Sequence, residues 1–217
     1  AMIEGMDHAV GRILAHLKTL GIAEDTLVFF LGDNGSVRIS LPLRGKKAER
    51  FEGGTRVPFI VSWAEPTDNK LQAQWQIPKG EHHSESFGTI LDLMPTILNV
   101  TGTEAPDGYT LDGYDLRSVY AGETPQTFLM HFPHAHRSSY FTTWHNGDWK
   151  LIYQYFGEPR LQLFNLADDL DEKNDLAKQQ PERLQRMFNE MNTALQETNA
   201  QFPTAKKTGK PLNPQLD

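Results

Sequence analysis

Asp33 and Asn34 follow directly on an apolar run, Thr26-Leu-Val-Phe-Phe-Leu31, within the segment Gly32-Asp-Asn-Gly35. A carboxylate beside an amide carbonyl offers hard oxygen donors, suited to Ca2+ or Mg2+ and not to a soft metal. Gly-Asp-Asn-Gly is equally good turn chemistry, so a metal site and a tight turn both stand at this point. The stretch Leu43–Pro58 sets Arg44, Lys46, Lys47, Arg50 and Arg56 against Glu49 and Glu52, beside the paired glycines Gly53 and Gly54. Glycine lets backbone approach closely, and Lys and Arg donate to anions. Sulfate or phosphate is the guest such a loop would take; a solvated charged loop is the other reading. His131-Phe-Pro-His-Ala-His136 places three imidazoles within six residues. Three histidines can ligate a transition metal, but no acidic or thiol ligand is nearby, which favours an exposed loop or a substrate contact. His82, His83 and His145 are further imidazoles without a motif around them.

Other chemistries are excluded. The 217 residues contain no cysteine, which removes disulfides, thiolate zinc sites and cysteine nucleophiles. No serine stands in a G-x-S-x-G turn, and neither G-x-G-x-x-G nor a P-loop occurs. A net charge of −7 argues against nucleic acid as a partner. No apolar run approaches the roughly 20 residues needed to cross a bilayer, so no membrane partner is expected. The start, AMIEGMDHAV, lacks the charged-then-apolar pattern of a signal peptide.

These candidates need elements to hold them. Ile3, Met6, Val10, Ile13, Leu14, Leu17 and Leu20 recur at helical spacing and end at Gly21. Residues 26–31 and Pro58-Phe-Ile-Val-Ser-Trp63 read as strands apolar on both faces, hence a sheet covered on both sides and an α/β class. Phe87 to Val100 predicts a helix. The character then changes to short alternating strands at Thr127–Phe132, Ser139–Trp144, Lys150–Tyr155 and Leu161–Asn165, the second and third joined through Asn146-Gly147, a strong hairpin signal. Pro181 opens a final amphipathic helix carrying Leu184, Met187, Phe188, Met191 and Leu195. The division expected is an α/β part over 1–120, an antiparallel subdomain over 121–203 and a flexible tail over 204–217.

With these residues in place the chain resembles the type I sulfatases of the alkaline-phosphatase-like superfamily. The similarity is carried by Gly5-Met-Asp-His-Ala-Val-Gly-Arg-Ile-Leu14, Leu31-Gly-Asp-Asn-Gly35 and Lys47-Ala-Glu-Arg-Phe-Glu-Gly-Gly-Thr-Arg-Val-Pro58. It continues through Asp92-Leu-Met-Pro-Thr-Ile-Leu98, Leu111-Asp-Gly113, Gly147-Asp-Trp-Lys-Leu-Ile152 and Leu163-Phe-Asn-Leu166. The resemblance implies that Asp33 and Asn34 ligate Ca2+ and that Lys47, five residues before Glu52-Gly53-Gly54, binds the sulfate and its bridging oxygen. A cation there would stabilise charge on the leaving oxygen. Asn after the Asp favours the single-metal sulfatase branch over two-metal phosphatase relatives. His131-Phe-Pro-His134 looks like the carbohydrate-acting members, which makes His134 and His136 candidates for substrate binding.

The resemblance also implies parts expected upstream: a Cys-x-Pro-x-Arg or Ser-x-Pro-x-Arg motif whose Cys or Ser becomes formylglycine, the nucleophile, and two further Asp ligands. The chain therefore reads as the C-terminal part of a sulfatase acting on sulfated carbohydrate or aryl sulfate, inactive alone, with Ca2+ weakly held. Its parent is expected to be soluble, periplasmic or secreted. Two core strands are too few to cover themselves, so an N-terminal half or self-association through the uncovered sheet is expected. A non-catalytic interaction module and a phosphate- or phosphonate-ester hydrolase of the same superfamily are the alternatives.

Overall fold

The computed structural model describes residues 2–82, 86–124, 126–136 and 140–216. His83 and the expected strand start Ser139 lie outside the described residues. The chain forms two compact units. One draws on residues 1–32, 58–84 and 88–123; the other on 33–57, 85–87 and 124–217. The basic stretch thus packs with the residues that follow 123, whereas the sequence groups it with its chain neighbours in 1–120.

In the first unit, helix α1 (Met2–Thr19) buries none of its residues, and Ile3, Met6 and Ile13 are exposed. Strands β1 (Leu27–Leu31) and β2 (Phe59–Trp63) pair antiparallel, Leu27 opposite Trp63 and Leu31 opposite Phe59. They form a two-stranded ribbon, not the doubly covered sheet their composition predicts: β1 is half-buried throughout and Ile60 is 55% exposed. Trp63 is buried and its indole N–H donates to the Trp75 carbonyl at 2.9 Å. The helix expected from residue 87 starts later. Thr89 and Asp92 bond reciprocally around the turn Ile90–Asp92, and α3 follows at Leu93–Thr101, with Pro95 in its first turn and left-handed Gly102 closing it. Asp92 also accepts from the Tyr114 amide at 2.8 Å, while the Thr96 hydroxyl donates to the Asp92 carbonyl and accepts from the Leu116 amide. That network seats α4 (Leu116–Tyr120), whose Leu116 is fully buried. A Cβ on Gly113 would meet the Leu91 carbonyl at 2.2 Å, so the chain passes there only as glycine.

The second unit is built on a four-stranded antiparallel sheet, β3 (Thr127–Phe132), β4 (Phe141–Asn146), β5 (Trp149–Gln154) and β6 (Leu161–Asn165), in that spatial order. The Asn146-Gly147 turn joins β4 and β5 with Gly147 at φ 56°, as the sequence predicts. Strand alternation gives the sheet two different faces. Trp144, Leu151, Tyr153, Tyr155 and Leu163 form one, packed on Met187, Phe188, Met191 and Leu195 of α5 (Pro181–Glu197). Ile152 and Phe164 lie on the other, against Phe51 of the basic stretch. The tail expected to be loose is tied down. The Leu212 amide bonds the Pro203 carbonyl at 2.8 Å, Leu212 packs on the α5 core, and Thr204 bridges Pro211. No helix among the described residues is long and apolar enough to cross a membrane.

Burial sets the energetic contrast between the units. Leu163→Ala removes a fully buried side chain and is expected to lower unfolding free energy by about 2–5 kcal/mol. Ile13→Ala, at a position 61% exposed, should change it by no more than about 0.5 kcal/mol. Denaturant unfolding of both variants checks this; a large cost at Ile13 would show that α1 is covered in solution.

Candidate functional site

The segment after β1 carries Asp33, Asn34 and Lys47, and interlaced backbone fixes it. The Gly35 amide donates to the Gly54 carbonyl at 3.0 Å, the Gly53 amide to the Arg44 carbonyl at 2.7 Å and the Lys47 amide to the Ser36 carbonyl at 2.7 Å. Such crossings need glycine. A Cβ on Gly35 would fall 2.0 Å from the Gly53 carbonyl oxygen, and one on Gly54 would fall 2.2 Å from that of Glu49. The paired glycines are thus a close-approach device, and Lys47 is held beside the strand-exit turn that presents Asp33 and Asn34. Asp33 is exposed, Asn34 and Lys47 are half-buried, and Lys46 is exposed. The Asn34 side-chain amide donates to the Asp33 carboxylate, so the two side chains converge.

Asp33 and Asn34 can supply a metal with two hard oxygens, a carboxylate and an amide carbonyl. This donor chemistry suits Ca2+, which takes about 6–8 such ligands. Among the described residues no group of three His, Asp or Glu is arranged to hold a metal. The pair therefore fits part of a Ca2+ site. The chain bends at Asp33 and Asn34, and their side chains are bonded to each other.

The histidine trio divides. His131 is structural: its Nε2–H faces the Gln201 carbonyl at 2.7 Å, which leaves Nδ1 to accept from the Thr142 hydroxyl at 2.8 Å. Burial holds its pKa below the ordinary value. His134 and His136 follow β3 and are exposed, and His134 leans on the Phe132 ring with centroids 4.0 Å apart.

What sequence reasoning missed is beneath the basic stretch. Lys150, on β5, is fully buried. Its ammonium lies 2.8 Å from Glu52 Oε1 and 2.9 Å from Glu172 Oε1. The second contact has the distance of an ion pair without hydrogen-bond alignment. Glu172 Oε2 accepts from the Glu52 amide at 2.6 Å, at the start of the short helix α2 (Glu52–Thr55). Arg56 reaches Glu52 Oε2 at 3.5 Å, and Arg44 donates to the Glu172 carbonyl at 2.8 Å. Burial alone would push the Glu52 carboxyl up, but Lys150, then His145 and last Arg56 outweigh it and hold the group down at about 2. Glu172 moves the other way, raised because burial is its largest influence. Glu172 also sits at φ 52°, a left-handed backbone a non-glycine residue rarely adopts. His145, opposite Lys150 in the register, lies 4.0 Å from Glu52 and against the rings of Phe87 and Phe128. Burial brings its pKa down to about 4, so it is neutral at pH 7. The available signal was Lys150 itself, one cation among Trp149, Leu151 and Ile152.

The spacing Ser-x-Pro-x-Arg also occurs inside this chain, at Ser40-Leu-Pro-Leu-Arg44. Ser40 is exposed, and its carbonyl accepts from the Leu43 amide in a turn. Arg44 is committed elsewhere, stacked on Phe51 and bonded to the Glu172 carbonyl.

Two predictions follow from the buried cluster. Lys150→Met leaves two carboxylates buried without their cation and should destabilise the chain by about 3–5 kcal/mol in denaturant unfolding. His145 is charged in the unfolded chain below its ordinary 6.5 but resists protonation in the fold down to about 4. Its contribution is complete above pH 6.5 and is lost as pH falls toward 4, amounting to about 3 kcal/mol. Unfolding of the wild type and His145→Asn across that range measures it; parallel pH profiles would refute the assignment.

Comparisons with known proteins bear on the family and the fold. Residues 1–103 match the family model Sulfatase. Over 168 residues the chain is 32% identical to the steryl-sulfatase of Mus musculus, an alignment covering 70% of this chain and 25% of that protein. Over 128 residues it is 36% identical to the N-acetylgalactosamine-6-sulfatase of Canis lupus familiaris, covering 55% and 22%. The solved structure of Ps i-CgsB in complex with k-i-k-neocarrahexaose superposes with a TM-score of 0.71 at 26% identity, covering 89% of this chain and 41% of that one. The chain thus spans about a quarter of the curated relatives and two-fifths of that structure. The chain is thus similar to the sulfatases along most of its length and has the fold of a portion of an alkaline-phosphatase-like sulfatase.

Proposed function

We propose that this chain supplies part of the active site of a sulfate-ester hydrolase: Lys47 as the sulfate-binding cation, Asp33 and Asn34 as two of the Ca2+ ligands. The observation that carries the reading is the Lys47 amide on the Ser36 carbonyl, which sets the lysine beside the turn bearing both ligands. When bound, the ion would polarise sulfate oxygens. Lys47, with its backbone pinned, places its ammonium where charge gathers on the departing oxygen, an arrangement that needs no reorganisation as the ester bond breaks. The substrate class proposed is sulfated carbohydrate. Its support is the neocarrahexaose held by one solved relative and the exposed His134–Phe132 pair, with His136 beyond it, as a surface for a sugar.

The formylglycine nucleophile is placed outside this chain, because the chain has no cysteine and the arginine of its Ser40–Arg44 spacing is engaged in packing. The chain alone should then not turn over an aryl sulfate in the presence of Ca2+. Turnover abolished by Ser40→Ala would put the nucleophile inside it and overturn this placement. In a protein carrying the whole sulfatase, Lys47→Ala should lower kcat on the order of 100-fold to 1000-fold, as loss of a transition-state donor does. Lys46→Ala, at an exposed neighbour, should do little. Equal effects on kcat would refute the role given to Lys47.

A further inference from the structure

Two arginines share one buried ring. The guanidinium carbon of Arg44 lies 3.8 Å from the Phe51 ring centroid and that of Arg50 lies 4.5 Å from it. Phe51 is itself fixed against Ile152 and Phe164, so the ring is a rigid post for both cations. Arg44 spends one N–H on the Glu172 carbonyl. Arg50 makes no hydrogen bond or ion pair with any described residue, and its Nε is buried without an acceptor. Arg44 repels it, while Glu49 and Glu172 attract it only from a distance.

That is a costly arrangement for the chain by itself. A buried donor without an acceptor costs about 1–3 kcal/mol, and here a like charge shares the same ring. An oxyanion held by the terminal N–H groups of the two guanidiniums would offset the like charge, since guanidinium N–H groups in a fixed plane match sulfate or phosphate oxygens. We propose that Arg44 and Arg50, posted on Phe51, form an anion site that takes a tetrahedral oxyanion of the sulfate class, separate from the role assigned to Lys47. The anion arrives either free or as an ester group on a saccharide.

The test uses the whole chain and the arginine Nε–H resonances. Sodium sulfate is titrated at constant ionic strength against a chloride control. A saturable shift of the Arg50 Nε–H is expected, and Arg50→Gln should weaken sulfate binding about tenfold or more, the loss of one charge-assisted contact. In chloride that variant should unfold close to wild type, because the stacking lost on Phe51 is offset by removal of the unpaired buried Nε and of the repulsion from Arg44. Arg50→Lys keeps the charge without the planar fork and should weaken binding several-fold, which preserves the test if Arg50→Gln fails to fold. The Arg50 Nε–H reports this site alone, so its sulfate dependence is read apart from the kcat effect of Lys47→Ala, and a failure of either reading leaves the other testable. Tighter binding of a sulfated disaccharide than of inorganic sulfate supports the ester source, and equal binding supports the free anion. No saturable shift of the Arg50 Nε–H, or sulfate binding at the Arg44 Nε–H undiminished in Arg50→Gln, overturns the site.

Discussion

The second unit depends on one buried ammonium. Lys150 is fully buried between Glu52 and Glu172, and these three residues come from β5, from the basic stretch and from the loop after β6. Burying charge is expensive, and the attraction between the partners returns that cost only when the geometry is good. Well-packed apolar residues in the same volume could stabilise as much. What the ion cluster adds is register: an apolar contact tolerates sliding, whereas an ammonium between two carboxylates has one satisfactory position. Glu172 illustrates the strength of the requirement, because its backbone is held left-handed while its side chain caps the Glu52 amide.

From that anchor the position of Lys47 follows. Glu52 begins α2, the two glycines after it admit crossing backbone from Gly35 and Arg44, and the returning strand of chain places the Lys47 amide on Ser36. Each step fixes the next without any long side chain having to find its own place. This matters because a cation that acts on a reacting bond must be held to a fraction of an ångström, and a bare loop of this length does not hold itself. A stretch with five cations is an unpromising thing to lay on a sheet. It packs because Phe51 gives it an apolar foot against Ile152 and Phe164, and because Glu52 and Glu172 answer part of its charge.

Local chemistry was legible in the sequence wherever the signal was local. The Asn146-Gly147 hairpin, the α5 stripe and the spacing from Lys47 to Glu52-Gly53-Gly54 could all be read from neighbouring residues. Lys150 could not, since a lysine in a strand ordinarily faces water, and only Glu52, 98 residues away in the chain, together with Glu172 turns it inward. Nothing local marks the loop Asp168-Asp-Leu-Asp-Glu172 for burial either. In the fold Asp169 and Glu172 are buried, with Asp169 accepting from the Lys173 and Asn174 amides. The grouping of 33–57 with the later sheet is likewise a long-range fact. In α1 the failure runs the other way: periodicity correctly announces the helix, but burial of its stripe needs a surface that periodicity does not describe.

The histidines show how strand parity converts one residue type into different instruments. His131 faces the α5 side of the sheet with Thr142, and the Tyr155 hydroxyl lies 3.1 Å from the Thr142 hydroxyl, so the imidazole is a link in a closed chain of hydrogen bonds ending on Gln201. His145 is on the opposite face because it pairs with Lys150, and parity alone delivers it to Glu52. There a second charge would compete with Lys150 for the same carboxylate, and burial keeps the ring neutral. His134 lies beyond the last paired residue of β3, where no face claims it. An imidazole free of the sheet and leaning on Phe132 at a tilt can meet a ligand, whereas those inside the ladder are already engaged. Under the role proposed for His134, the position open to a sugar is set by where β3 stops pairing, not by the density of histidines in the sequence.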